Sequence, residues 1–441
     1  MTEELQKELD ALAAELGVPG MAVGVVDGDR DVVVTTGVAD AHSGAPVRPD
    51  TVFAIGSTSK TVTATVAMRL VEEGLFTLDT PVAEILPGFR LGDPSALAAL
   101  RVRHLLTHSG GFLGDTDETA GWGDDALARS TADYSDLPQL FAPGQLTSYS
   151  NSGIRLLGRI VEATAGAPFE TVVQERLFDP LGMSDSLYFP WDLLTRPHAV
   201  GHVVEDGVAS VPRSWPLDRG SAPEGGVLSS VEDQLRYARF HLRGEAANAA
   251  PVSDETRLLM QQTQVQTGPP LEGIGFPWLI RRQAGARIVE HGGNISNLQL
   301  SAFALVPEHD LAVTTLTNSV GGKEAGTRIL AWCLERFRGL RPVEPAPVPL
   351  AAPSALAGVR GRYDVNQWQW IVDVDGDELV VDGEWRPDIA AMGLPPMPTM
   401  RGTLGEDMVI RAAAGTPLGR FLTTEDGSEF LHLGMRAARR L

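Results

Sequence analysis

Along the first 340 positions the apolar residues switch between two periods, and the switches outline the fold. The start, Glu3 to about Leu16, is acidic with Leu5 and Leu9 on one face, which predicts an amphipathic helix. Met21-Ala22-Val23-Gly24-Val25-Val26 and Asp31-Val32-Val33-Val34-Thr35-Thr36 are β-branched runs on either side of Asp27-Gly28-Asp29-Arg30. Two such runs around an Asp-Gly turn predict a hairpin. From about 57 to 265 helical spacing dominates, broken by Gly, Asp and Pro loops. Strand patterns return at Arg287–Glu290, Leu298–Leu305 and Leu311–Leu316, and a closing helix is expected over about 322–338.

Strands at both ends with helices between them predict an α+β domain over 1–340. One antiparallel sheet would be assembled from both halves, flanked by the terminal helices, with the inserted helices forming a second lobe. A cleft between sheet and lobe is where a site is expected. Arg341 to Pro353 holds five prolines and predicts a stiff linker over 341–354. Beyond it, 355–441 shows short alternating segments such as Trp370–Val381, which predict a small all-β domain, a barrel or curved sheet. Trp368, Trp370 and Trp385 are expected in its core or at its contact with the first domain.

Composition narrows the function classes. The net charge of −21 opposes nucleic acid or an anionic membrane as partner. No run of about 18 apolar residues predicts a membrane span, and the first residues lack the basic and apolar regions of a secretory signal. The single cysteine, Cys333, excludes an intrachain disulfide and a Cys-based metal site. The expectation is a cytoplasmic enzyme or binding protein with neither cofactor nor metal.

Lysine use points to chemistry. The chain has three lysines, Lys7, Lys60 and Lys323, among 36 lysines and arginines. One of them stands in Gly56-Ser57-Thr58-Ser59-Lys60, ahead of Val62, Val66, Leu70 and Val71 at helical spacing. Ser57 then falls at a helix N-terminus, where backbone N–H groups favour negative charge, and Lys60 lies one turn up the same face. An amine can take a proton that a guanidinium never can, so Ser-x-x-Lys suits a nucleophile and its partner. Two further segments join it. Tyr149-Ser150-Asn151 begins a predicted helix and presents a phenol and an amide; Glu290-His291-Gly292-Gly293-Asn294 ends one strand run and precedes another, its glycines allowing close backbone approach.

Ser-x-x-Lys, Tyr-x-Asn and His-x-Gly in this order resemble the penicillin-recognising serine hydrolases: class C β-lactamases, D-Ala-D-Ala carboxypeptidases, D-aminopeptidases and family VIII esterases. The resemblance covers about residues 10–338 and includes Val102-Arg103-His104-Leu105-Leu106-Thr107-His108-Ser109-Gly110-Gly111 and Gly225–Ser230. It implies a β-lactamase/transpeptidase-like fold, an acyl-enzyme on Ser57, and a role for Lys60 and Tyr149 in moving its proton. It also implies that Asn151 bonds Lys60 and the substrate, with His291, Gly292, Gly293 and Asn294 lining the substrate site. The N–H groups of Ser57 and Asn294 would form the oxyanion hole. Where these enzymes usually carry Lys-Thr-Gly this chain has His291, which offers a hydrogen bond more than a fixed charge and argues against efficient β-lactam turnover.

The implied substrate is a small ester or a peptide-like amide. Some cytoplasmic relatives are penicillin-binding-protein-type thioesterases that cyclise nonribosomal peptides and carry a C-terminal lipocalin-like module. On that alternative the substrate is a peptide held on a carrier protein. A non-catalytic receptor using the same cleft is the third reading. His104 and His108, spaced like zinc ligands, lack the Glu of His-Glu-x-x-His and are expected to be structural. Asp115 to Glu118 begins like a calcium loop, but Ala120 occupies the glycine slot.

Overall fold

The computed structural model describes residues 1–115, 119–213, 215–343, 346–390 and 396–441. The calcium-like stretch Thr116–Glu118 and linker positions 344–345 thus lie outside the described residues.

The first helix, α1 (Thr2–Glu15), leads into a hairpin, β1 (Gly20–Asp27) and β2 (Arg30–Asp40). Later strands β3 (Leu279–Gln283), β4 (Ala286–Ile295), β5 (Gln299–Val306) and β6 (Leu311–Thr317) complete the sheet, followed by a closing helix over Gly322–Arg338. Two short strands precede β3 at one edge and Ala45–Pro46 follows β2 at the other, so the described sheet has nine antiparallel strands. Its two halves join where β1 pairs β6, Met21 opposite Thr317 and Asp27 opposite Leu311. One face packs on the terminal helices through Leu5, Leu9, Leu12, Ile329, Cys333 and Leu334. The other carries the larger core, shared with the inserted helices.

The helix after Ser57 (Ser59–Glu72) is the axle of the inserted lobe, buried on every side from Ser59 to Met68. A helix sealed all round cannot leave polar side chains idle. Thr61 donates to the Thr58 carbonyl, Thr63 to Pro223 and Thr65 to Thr61.

Two segments of the sheet extend beyond their sequence patterns. The His291–Asn294 stretch closes β4 ahead of β5, as expected, and the strand runs past the Glu290 end of its sequence pattern to Ile295, with Gly292 opposite Ala302 and Gly293 opposite Ser301. Paired glycines mask a strand in sequence because their side-chain signal is missing. The segment from 265 to 283, ahead of the strand pattern at Arg287–Glu290, contributes three sheet-edge strands, the last being β3. Pro269, Pro270 and Pro277 punctuate it and hide the alternation.

The C-terminal strands Gly361–Asp364 through Arg436–Arg440 form a closed eight-stranded barrel with its own core, in which Tyr363, Trp370, Leu379 and Leu431 are buried. Closure removes the exposed edges that so short a sheet would present. The barrel's last hairpin, Glu429–Leu433 with Arg436–Arg440, packs on the first domain, Phe430 meeting Phe141 edge-on at 6.1 Å. Among the described residues no helix is long and apolar enough to cross a membrane.

Candidate active site

Ser57 sits in a 3₁₀ turn, Gly56–Thr58, that feeds the buried helix. Gly56 has φ +54°, and a Cβ there would lie 2.7 Å from the Asn294 amide nitrogen. On β4, a Cβ at Gly293 would lie 1.8 Å from the Ile55 carbonyl oxygen. The two glycines let β4 and the nucleophile turn touch backbone to backbone, which places the Asn294 N–H beside Ser57. Ser301 fastens the contact from β5, donating to the Ile55 carbonyl at 2.7 Å and sharing a hydrogen bond with Thr58 at 2.8 Å. The Asn294 side chain is turned away, donating to Asn297 Oδ1 at 2.8 Å.

Lys60 is fully buried. Its Nζ donates to Ser57 Oγ at 2.9 Å and to the Glu224 carbonyl at 2.7 Å. The Glu224 carboxylate pairs with buried Arg155 through two contacts at 2.7 and 2.9 Å, and Arg155 also reaches Ser221 at 3.2 Å. Burial pushes the Glu224 carboxyl up and Arg155 opposes it; Arg155 is itself raised, because that pairing outweighs its own burial. Glu224 and Arg155 form an ionised pair, the bidentate contact stabilising both charges. That pair anchors the Ala222–Gly225 turn whose carbonyl holds Lys60.

Tyr149 immediately precedes the helix Asn151–Ala165, which Ser150 caps by accepting from Gly153 N–H at 2.9 Å. Lys60 Nζ stands 5.0 Å from the Tyr149 ring centre, and no hydrogen bond joins the phenol to Ser57 or Lys60 in the resting chain. Asn151 departs from expectation: its amide donates to Asp115 Oδ1 at 2.6 Å and makes no bond with Lys60. A carboxylate is the stronger acceptor, and the Lys60 amine is already turned to Ser57 and Glu224.

His291 is sealed in β4, and burial, reinforced by Lys60, brings its pKa down to about 3. It is a neutral imidazole at ordinary pH. The unfolded chain, with an ordinary histidine near 6.5, therefore binds the extra proton first. Stability tied to this residue is complete above about pH 6.5 and is lost as pH falls towards 3. By pH 5 the loss is about 2 kcal/mol. Urea unfolding of the wild-type protein and His291→Gln at pH 7 and 5 should show the variant losing less stability; equal losses would contradict this.

Two groups at the site escaped sequence reading. His108, in a segment singled out but taken as structural, lies against Tyr149 with ring centres 4.6 Å apart. Arg436 comes from the barrel, its guanidinium 5.7 Å from the Tyr149 ring centre and paired with Asp115 at 2.5 Å. The hairpin around it grips the Tyr149 segment: Tyr149 N–H donates to the Met435 carbonyl at 2.9 Å, Arg436 to the Tyr149 carbonyl at 3.2 Å, and Ala437 N–H to Ser148 at 3.1 Å. Nothing local to position 436 signals such a contact.

Ser57, Tyr149, His291, Gly292, Gly293 and Asn294 all line one cleft of about 820 Å³, with Met435 and Arg436 on its wall. Asn151 does not line it. On the other side of the nucleophile turn, a smaller cavity of about 230 Å³ is lined by Ala54, Gly225 and Ile295 and by aromatic residues that include Trp122, Phe189 and Trp215. Among the described residues no group of three or more His, Cys, Asp or Glu is placed to hold a metal ion.

The Beta-lactamase family profile matches residues 5–332. Penicillin-binding protein 4 of Amycolatopsis lactamdurans is 34% identical over 373 residues, covering 81% of this chain and 97% of that protein. Unguisins hydrolase ungD of Aspergillus violaceofuscus is 26% identical over 353 residues, covering 72% of this chain and 61% of that protein. Among solved structures, SurE with D-Leu aligns at TM-score 0.76 and 26% identity over 100% of this chain and 99% of that one.

Proposed function

The chain belongs to the Beta-lactamase family, and on that footing we propose that it is a serine hydrolase that cleaves an ester or a peptide-like amide through an acyl-enzyme on Ser57. The observation that carries this reading is the 2.9 Å bond between the buried Lys60 amine and Ser57 Oγ. A serine hydroxyl attacks a carbonyl only as its proton leaves, and Lys60 Nζ is the nitrogen in contact with it.

Ser57 Oγ adds to the substrate carbonyl carbon while its proton passes to Lys60, acting as the uncharged amine, and from Lys60 on to Tyr149. The carbonyl oxygen, now carrying the charge, is held by the N–H groups of Ser57 and Asn294, a donor being worth about 3 kcal/mol in such a site. Tyr149 returns the proton to the departing alcohol or amine. Water then adds to the acyl-enzyme by the same path in reverse, releasing the acid and Ser57.

Neutral His291 supplies no fixed charge for a carboxylate, so β-lactams should be poor substrates. The apolar cavity beside Ala54 and Ile295 fits a large apolar side chain on the acyl group. Cytoplasmic location belongs to this reading, resting on composition.

A second reading, aminolysis of a carrier-bound peptidyl thioester to a cyclic peptide, is favoured by the barrel's place on the cleft wall. A panel of a short-chain ester, a D-amino-acid amide, a β-lactam and a peptidyl thioester mimic decides between them. Linear acid from ester or amide, lost in Ser57→Ala, supports hydrolysis, and cyclic product from the thioester supports aminolysis. Product formation that survives Ser57→Ala contradicts both.

A further inference from the structure

Two buried imidazoles flank Tyr149, and neither stands on the path of the serine proton. His108 follows the short helix Val102–Leu106, and His291 lies in β4; they are 1% and 2% exposed. Their ring centres stand 4.6 and 6.1 Å from that of Tyr149. In each ring Nδ1 is committed to the backbone while Nε2 is buried with no partner.

The two commitments are opposite. The Ser150 N–H donates to Nδ1 of His108 at 3.2 Å, so that nitrogen offers a lone pair and the proton of the neutral ring sits on Nε2. The Gly292 carbonyl can only accept, so Nδ1 of His291 donates to it at 2.8 Å and Nε2 carries the lone pair. Burial, with the Lys60 charge next, keeps both rings neutral. One unpaired donor and one unpaired acceptor thus stand beside a phenol, in a place where buried polar atoms ordinarily find partners.

We propose that this pair holds the Tyr149 phenol in both protonation states: His291 Nε2 accepts from the hydroxyl, and His108 Nε2–H donates to the phenolate oxygen once the proton has left. The proposal rests on the reading of Tyr149 as the residue that carries the serine proton. A phenol that loses and regains a proton during turnover needs an acceptor in one state and a donor in the other. Two rings locked in opposite tautomers supply both without reorganising. The phenol bonds neither ring in the resting chain, so its side chain must shift when substrate binds, as catalytic hydrogen bonds often tighten only in the complex. The other charged groups facing Tyr149 are Lys60 and Arg436, the latter paired with Asp115, and they are unchanged in the variants below. His108 is on this account a positioning residue, acting through Tyr149.

His108→Phe keeps the ring packing and removes the donor; His108→Gln puts an N–H back near the Nε2 position. Acylation of Ser57 by an activated ester should be about 100-fold slower in the Phe variant, with KM changed less than about threefold, and largely recovered in the Gln variant. With a non-acylating ether analogue of the ester bound, so that the phenol has shifted, the phenolate absorbance of Tyr149, isolated by subtracting Tyr149→Phe, should appear about one pH unit higher in His108→Phe than in the wild-type protein. His291→Met, which removes the acceptor, should move it the opposite way. This titration reads the histidines even in a chain whose serine takes no acyl group, so failed acylation sinks the serine reading and not this one. Phenolate onsets that do not move, that move in the same direction in both variants, or a Gln variant as slow as Phe would overturn the proposal.

Discussion

Replacing Lys60 by methionine is expected to slow acylation of Ser57 by roughly 10⁴-fold or more. Methionine has nearly the length of lysine and suits a fully buried position, so the side chain's volume is kept and its nitrogen is lost. Ser57 then has no base in contact, and the Glu224 carbonyl loses its donor. That orphaned carbonyl costs about 1–3 kcal/mol of stability, less than a typical folding margin. Stopped-flow acylation with an activated ester, beside a thermal melt, separates the two effects. Lys60→Arg should fail as well, because a guanidinium holds its proton. Near-normal acylation in Lys60→Met would remove the amine from the mechanism.

Alanine at Gly293 is expected to damage the site without touching a reactive side chain. The added methyl would meet the Ile55 carbonyl oxygen at 1.8 Å and Ser301 Oγ at 2.6 Å. The nearest of these is backbone, so β4 and the nucleophile turn must separate. The Asn294 N–H then leaves the oxyanion position, a change worth roughly 10²–10³-fold in turnover, and the forced packing costs a further 1–3 kcal/mol or about that in stability. Gly292 is the internal control. A methyl there meets only the Ser301 carbonyl oxygen, at 3.3 Å, and Gly292→Ala should keep most of the activity. Equal rates for the two variants would mean that the contact between β4 and the turn does not set the oxyanion site.

The contrast between what was legible in sequence and what was not follows chain distance. Ser57 and Lys60 are one helical turn apart, so local geometry alone predicts that they meet, and they do. The terminal strands and helices showed in their periodicity because each has one face on a continuous core. The partners of those residues did not show. The Glu224 carbonyl that holds Lys60 lies 164 positions away, and Arg436 reaches the Tyr149 backbone across 287. Such contacts depend on how elements pack, and a backbone carbonyl leaves no trace in residue type. The partner of Asn151 did not show for the same reason: its acceptor, Asp115, stands in a loop whose course no pattern fixes. His108 looked structural because a helical His-x-x-x-His invites comparison only with metal sites, and nothing in its spacing points to a phenol 41 positions on.

The barrel's grip on the Tyr149 segment shows how function depends on both domains. Three hydrogen bonds from the last hairpin fix Ser148 and Tyr149, and Arg436 answers Asp115 across the cleft wall. The phenol's position is thus set by strands at the far end of the chain, while the serine and amine are set by the first domain's buried helix.

The measurement that bears most directly on this account is intact-protein mass spectrometry with peptide mapping after brief exposure to an activated acyl ester. One acyl group should be found, on the peptide holding Ser57, and it should be absent in Ser57→Ala. Acyl label on any other residue, or the same label in Ser57→Ala, would contradict it.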